Sequence, residues 1–84
     1  MFEKLLAAIE IYEFNLGFDN PDTADMYSKL SLAYYEAGRY EEASTWIWRA
    51  FITFYKTFGP NDEITLNSYE TLRNIEAHIE SGLE

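Results

Sequence analysis

The sequence contains no cysteine and offers little that resembles a sorting signal. Without cysteine the chain cannot form disulfides or bind zinc through thiolates. No apolar stretch is long enough to span a bilayer, and the first residues lack the basic region, apolar core and cleavage site of a secretion signal. We therefore expect a cytoplasmic protein with no metal, no cofactor and no membrane partner.

Basic residues are also scarce. Six lysines and arginines oppose 15 acidic residues, which gives a net charge of −9. Binding to a nucleic acid needs a basic face, so we expect no nucleic-acid partner. The charge permits a basic protein partner or the imitation of a nucleic acid, and it also keeps an aromatic-rich protein in solution.

Apolar residues, by contrast, are abundant in this short chain. They make up 48% of its 84 residues, and aromatic residues alone make up 18%. This composition predicts a folded domain rather than a disordered segment. A domain of this size buries only about 60–65% of its unfolded surface, so its stability margin is narrow.

A pattern of residues recurs 42 positions along the chain. Leu16–Gly17 before Asn20–Thr23 returns as Phe58–Gly59 before Asn61–Thr65, and Ala8, Tyr27 and Leu30 return as Ala50, Tyr69 and Leu72. A fixed period of this length is typical of stacked repeats, in which no unit buries its apolar face alone. It favours a surface that binds another protein over a catalytic pocket.

Four helices are predicted from capping residues and apolar spacing. They run from about Phe2 to Leu16, from Asn20–Pro21 to Ala37, from Tyr40 to Thr57 or Phe58, and from Asn61–Asp62 to about Glu80. The short loops predict antiparallel neighbours. The third helix is apolar around nearly its whole circumference, so we expect it to be buried on most sides, between the second and the fourth.

The segment from Leu30 to Ala43 carries a recognisable motif. Its elements are Leu30, Ala33, Tyr34, Tyr35, Gly38, Arg39, Tyr40, Glu41, Glu42 and Ala43, followed by Ala50. The motif resembles a tetratricopeptide repeat, and the preceding Leu16–Ala24 is similar to the 42-residue variant of kinesin light chains. The resemblance implies an all-α fold of antiparallel helix pairs, each with a first helix (A) and a second helix (B). In such a pair Gly38 would form the turn, and Ala43 and Ala50 would permit close helix contact.

On the family pattern, residues 1–84 are a single domain with helices in the order B-A-B-A. One complete repeat at about 20–58 is flanked by two half repeats. Stacked repeats usually need about three units for stability, and this chain holds the equivalent of two. One interpretation is a self-contained bundle in which the first helix finds all its contacts within the chain. The other, which we favour, is self-association through the first or last helix, most often as a homodimer. The surface expected to lack cover is on the first helix: Phe2, Leu5, Ile9 and Tyr12.

The resemblance also implies a binding groove, because the first helix of each pair lines the concave face of such repeats. On the second helix the groove residues would be Asp25, Ser28, Leu32, Tyr35 and Glu36; on the fourth they would be Asn67, Glu70 and Asn74, with His78 at the edge. Leu32 and Tyr35 would supply apolar contact. The carboxylates would favour a basic peptide.

Residue patterns of catalysis are missing from the sequence. There is no phosphate-binding glycine loop, no Gly-x-Ser-x-Gly and a single histidine, so we expect no enzyme and no catalytic residues. Glu41–Glu42 and Asp62–Glu63 stand at helix starts, where carboxylates stabilise the helix dipole. For Trp46 and Trp48 we expect core packing, with an interface anchor as the alternative for Trp48.

These observations predict a non-enzymatic protein-binding module that also self-associates. Two alternatives remain open at this point. One is a small acidic inhibitor that imitates a nucleic acid and occupies a basic cleft; the scattering of acidic residues through all four helices disfavours it. The other is a fragment or an engineered piece of a longer repeat array.

Overall fold

The computed structural model describes residues 2–82, and four α-helices account for most of that range. These are α1 (Glu3–Leu16), α2 (Pro21–Glu36), α3 (Tyr40–Phe58) and α4 (Glu63–Gly82). The predicted all-α fold of four helices is confirmed. The fourth helix continues past its predicted end, since Gly82 still belongs to it.

Local side-chain and backbone chemistry sets the helix ends. The Asn20 side chain accepts a hydrogen bond of 2.8 Å from the amide of Asp22, which caps α2. Gly17 and Gly59 end α1 and α3 with φ of 87° and 89° and ψ of 171° and 169°. Only glycine adopts this backbone region without strain. The two turns that are 42 residues apart in sequence therefore have the same conformation.

Successive helices pack side by side and antiparallel. Residue numbers fall along α3 as they rise along α2. The ring centroids of Tyr27 and Trp46 lie 5.4 Å apart, and one turn farther along α2 Ser31 donates a 2.7 Å hydrogen bond to the carbonyl of Ala43. The interface of α2 with α3 is the most extensive, followed by that of α3 with α4 and that of α1 with α2. The predicted position of α3 between α2 and α4 is confirmed.

The core lies along these interfaces. Its buried apolar residues are Ile9, Ala24, Met26, Tyr27, Leu30, Ala43, Ile47, Ala50, Phe54, Leu72 and Ile75. Burial of each large apolar side chain contributes about 1.5–3 kcal/mol of stabilisation. Ala24, Ala43 and Ala50 have no exposed surface, so close approach of α2 and α3 depends on their small size.

The expectation that α3 is buried on most sides was wrong for one of its faces. Trp48 and Tyr55 are each 49% exposed, and Phe58 is 40% exposed. Trp46, in contrast, is half-buried over Tyr27. The cause is geometric: α2 and α4 cover two sides of α3, and the described residues place no further helix over the third.

The set of α1 residues expected to lack cover also needs correction. Ile9 is only 2% exposed, and Phe2, Leu5 and Tyr12 are half-buried against the core. Their spacing of three and four residues places them on the face of α1 that packs on α2, where the ring of Phe2 stacks on Tyr34 at 4.4 Å. Cover for these four side chains therefore comes from within the chain. The opposite face of α1 is the exposed one and carries Ile11 and Phe14, while Leu6 is partly exposed at the flank of the buried face.

Candidate functional site

A groove runs between α2 and α4 and has α3 as its floor. Its larger part is a cavity of about 310 Å³. Ile47 and Phe54 form an apolar floor, because they stand seven residues apart on one face of α3. The walls are Asp25, Ser28 and Leu32 on α2 and Ile64, Asn67, Ser68 and Thr71 on α4.

A second cavity of about 170 Å³ continues the groove toward the C-terminal ends of α2 and α4. Leu32 and Thr71 line both cavities, so the two form one continuous groove. The second cavity is completed by Tyr35, Asn74 and Ile75. Leu32 is 55% exposed, which makes it an apolar side chain that α2 presents directly to a ligand.

An aromatic cluster closes the far end of the groove. The ring of His78 lies 5.2 Å from that of Tyr35 and 5.1 Å from that of Tyr40. His78 Nδ1 is 2.9 Å from the carbonyl oxygen of Asn74. Because a carbonyl can only accept, Nδ1 is the nitrogen that donates. In that tautomer Nε2 accepts a hydrogen bond from the Tyr35 hydroxyl, 3.2 Å away.

The polar side chains of the groove walls differ in whether they are available to a ligand. The hydroxyls of Ser28 and Thr71 donate to carbonyls of their own helices, Ala24 and Asn67, at 3.3 and 3.0 Å. The side-chain amides of Asn67 and Asn74 have no hydrogen-bond partner among residues 2–82. They stand seven residues apart on α4, about 10.5 Å along its axis. Each amide can both donate and accept.

The groove carries less negative charge than the composition suggests. Asp25 is its acidic lining residue, and its carboxylate lies 3.6 Å from the ammonium of Lys29. Both side chains are more than 60% exposed, so the pair contributes little stability. The lysine nevertheless offsets the charge of the aspartate at the groove entrance.

The structure brings together six of the predicted groove residues and leaves two outside. Asp25, Ser28, Leu32, Tyr35, Asn67 and Asn74 line the groove. Glu36 and Glu70 are exposed and line neither cavity. Sequence reasoning missed four lining residues of α4 and the floor residues of α3; those of α4 are Ile64, Ser68, Thr71 and Ile75. Thr71 follows Asn67 by one helical turn and could have been found from that spacing; the floor residues could not, since only packing shows which face of α3 lies beneath the groove.

A known protein family matches the helix pair α2 and α3, which form one wall and the floor of this groove. A family model of the tetratricopeptide repeat matches residues 23–63, which cover α2 from Thr23 onward, all of α3 and the first residue of α4. The chain contains a tetratricopeptide repeat. Repeats of this family indicate a protein–protein interaction module and are typically not enzymes. No curated protein matched the sequence.

Within residues 2–82, no group of three or more histidine, aspartate or glutamate side chains could hold a metal ion. None of the helices formed by those residues is long and apolar enough to cross a membrane.

Proposed function

We propose that the chain is a non-enzymatic protein-binding module that holds a peptide segment in the groove between α2 and α4. The observation that carries this proposal is a continuous groove whose apolar floor, Ile47 and Phe54, is joined by the exposed Leu32 of its wall. Binding pockets in general combine apolar surface with a few placed polar groups. Here the amides of Asn67 and Asn74 are those groups.

The dimensions of the groove favour an extended peptide. An extended chain rises about 3.3 Å per residue, so the 10.5 Å between Asn67 and Asn74 corresponds to about three peptide residues. Each amide would then bond the backbone of the ligand. An apolar side chain between the two bonds would enter the larger cavity beside Leu32.

Charge makes a neutral or basic peptide the better ligand. The net charge of −9 attracts cationic segments at long range. The groove itself is nearly neutral, because Lys29 offsets Asp25. We therefore expect basic residues on either side of an apolar one, with binding that weakens as salt is added.

The test uses a library of short peptides displayed on phage, followed by fluorescence polarisation with the selected peptides. Leu32→Asp should weaken binding about tenfold or more, since it places a charge beside the apolar floor, and tenfold corresponds to about 1.4 kcal/mol. Leu6→Asp is the matched control, because Leu6 is 37% exposed on α1 and lies outside both cavities and outside the α4 surface. Equal binding by Leu32→Asp and the wild type, or equal loss in both variants, would contradict the groove.

We also propose that the chain self-associates. The observation that favours this is exposed apolar surface on both end helices, where Ile11 of α1 is 59% and Leu66 of α4 51% exposed. Contiguous exposed apolar surface of this kind often marks an interaction site. Sedimentation equilibrium over a range of concentrations measures it directly: a mass that rises with concentration supports the proposal, and a constant monomer mass contradicts it.

A further inference from the structure

The internal repeat makes the central helix pair a template for the two end helices, α1 and α4. An offset of 42 residues makes α3 the counterpart of α1, and α4 the counterpart of α2. In the middle of the chain α2 and α3 pack together as a pair. Among the described residues, α1 has no counterpart of α2 packed before it, and α4 has no counterpart of α3 packed after it. Differences in burial between counterparts therefore locate the surfaces that lack a neighbour.

On α4 the uncovered surface is marked by Leu66 and Tyr69. Their counterparts on α2, Ala24 and Tyr27, are 0% and 2% exposed, whereas Leu66 and Tyr69 are 51% and 45% exposed. Counterparts on the core-facing side do not differ in this way: Leu30 of α2 and Leu72 of α4 are both buried. What covers Tyr27 is α3, through the ring of Trp46 at 5.4 Å.

On α1 the uncovered surface is marked by Ile11. Its counterpart on α3, Thr53, is only 3% exposed, whereas Ile11 is 59% exposed. Thr53 and Arg49 line one cavity together with Tyr27, so this is the part of α3 that meets α2. The counterpart of Arg49 is Ala7, which is exposed.

We propose that α4 of one copy packs against α1 of the next, so that two copies together complete a helix pair like that of α2 with α3. This contact rests on the self-association proposed above and assigns it a geometry. Tyr69 of one copy would lie near Ala7 and Ile11 of the next, as Tyr27 lines one cavity with Arg49 and Thr53. Lys4 of the next copy, the counterpart of Trp46, would then lie over the ring of Tyr69 as a cation.

The exposed face of α4 lacks a neighbour like α3, and α1 is the counterpart of α3. The exposed face of α1 lacks a neighbour like α2, and α4 is the counterpart of α2. Each face therefore fits the other, which makes a second copy of the chain the occupant. Two side chains of α4 are larger than their counterparts: Leu66 replaces Ala24, and Arg73 replaces the buried Ser31. The helices therefore lie farther apart than α2 and α3 do, and the contact is weak. Like charges on the two copies weaken it further, so added salt strengthens this contact, although it weakens binding of a basic peptide.

A head-to-tail contact joins two different faces of the molecule, whereas a two-fold contact joins one face to itself. Substitutions on single faces therefore distinguish the two kinds of contact. Ile11→Asp removes the α1 face, and Leu66→Asp removes the α4 face. Each variant alone should sediment as a monomer while retaining its helical circular dichroism. An equimolar mixture should form a dimer and nothing larger, because one intact face of each kind remains in the mixture. The wild type should grow beyond the dimer as its concentration rises.

Phe14→Lys is the matched control on α1. The counterpart of Phe14 is Lys56, which is exposed on α3, so the template places Phe14 outside the contact. This variant should associate as the wild type does. A wild-type chain that remains a monomer overturns self-association altogether. A wild-type chain that associates, with Leu66→Asp still dimeric or the mixture still monomeric, overturns the head-to-tail geometry alone.

Discussion

The hydroxyl of Tyr27 donates a hydrogen bond of 2.6 Å to the carboxylate of Glu13, and this bond joins α2 to α1. Tyr27 is 2% exposed and also packs against Trp46 of α3, so one side chain links three helices. The interface of α1 with α2 is the smallest of the three between successive helices. A charged hydrogen bond therefore adds a directional link to the apolar contacts of Phe2, Leu5, Ile9 and Tyr12 that hold α1 in place.

Replacement of this tyrosine tests the link between α1 and α2. Tyr27→Phe keeps the ring but removes the donor, so we expect the free energy of unfolding to fall by about 1–2 kcal/mol, as for hydrogen bonds to charged groups. Urea titration measures the change. Tyr55→Phe, at a half-exposed position, is the control and should leave stability nearly unchanged. Equal stability of the two variants would contradict the role assigned to the bond.

The same residue makes stability sensitive to alkaline pH. Burial, and then the hydrogen bond to Glu13, raise the pKa of Tyr27 well above its ordinary value of 10.0. Above pH 10.0 the Tyr27 hydroxyl loses its proton in the unfolded chain but keeps it in the folded chain. The contribution of Tyr27 to the free energy of unfolding is therefore complete below pH 10.0 and declines as the pH rises further. The stability difference between the wild type and Tyr27→Phe should therefore narrow as the pH rises from 10.0 to about 11. A difference that stays constant over this interval would argue against the raised pKa.

Two threonines 42 residues apart are predicted to respond in opposite ways to the same change. The buried hydroxyl of Thr65 donates to the carbonyl of Phe54 at 3.1 Å, whereas the buried hydroxyl of Thr23 has no partner among the described residues. Thr65→Val should lower the free energy of unfolding by about 1 kcal/mol, and Thr23→Val should leave it unchanged or raise it by up to about 1 kcal/mol. Chemical denaturation of both variants gives the comparison. Similar losses in the two would show that the Thr23 hydroxyl is also bonded.

The contact of Tyr35 with His78 should couple α2 to the C-terminal half of α4. Their rings meet edge to face at 5.2 Å, and their polar atoms are 3.2 Å apart. A double-mutant cycle with Tyr35→Phe and His78→Ala should give a coupling energy of about 0.5–1 kcal/mol, of which part comes from the hydroxyl. Additive effects of the two substitutions would mean that the side chains act independently. Arg39→Ala provides a control cycle with His78→Ala, since Arg39 pairs with Glu42 instead.

The α2 wall of the groove was predictable from sequence, and the α4 wall in part, but the floor and the charge of the groove were not. Asp25, Ser28 and Leu32 follow from helical spacing once the motif is recognised. Ile47 and Phe54 do not, because a helix that is apolar all round gives no sign of which side lies beneath a cavity. The balance of charge was equally hidden, since the ion pair of Asp25 with Lys29 and the outward position of Glu36 depend on side-chain placement.

The sequence by itself determined the helices and their repeat, because caps, glycine turns and apolar spacing act over a few residues. Asn20 and Gly59 need no distant partner to begin or end a helix. Only the tertiary structure decided which apolar side chains remain exposed. Ile9 and Ile11 are the same residue type two positions apart, yet one is 2% and the other 59% exposed. The difference arises because α2 covers one face of α1, and burial depends on that neighbour rather than on the residue itself.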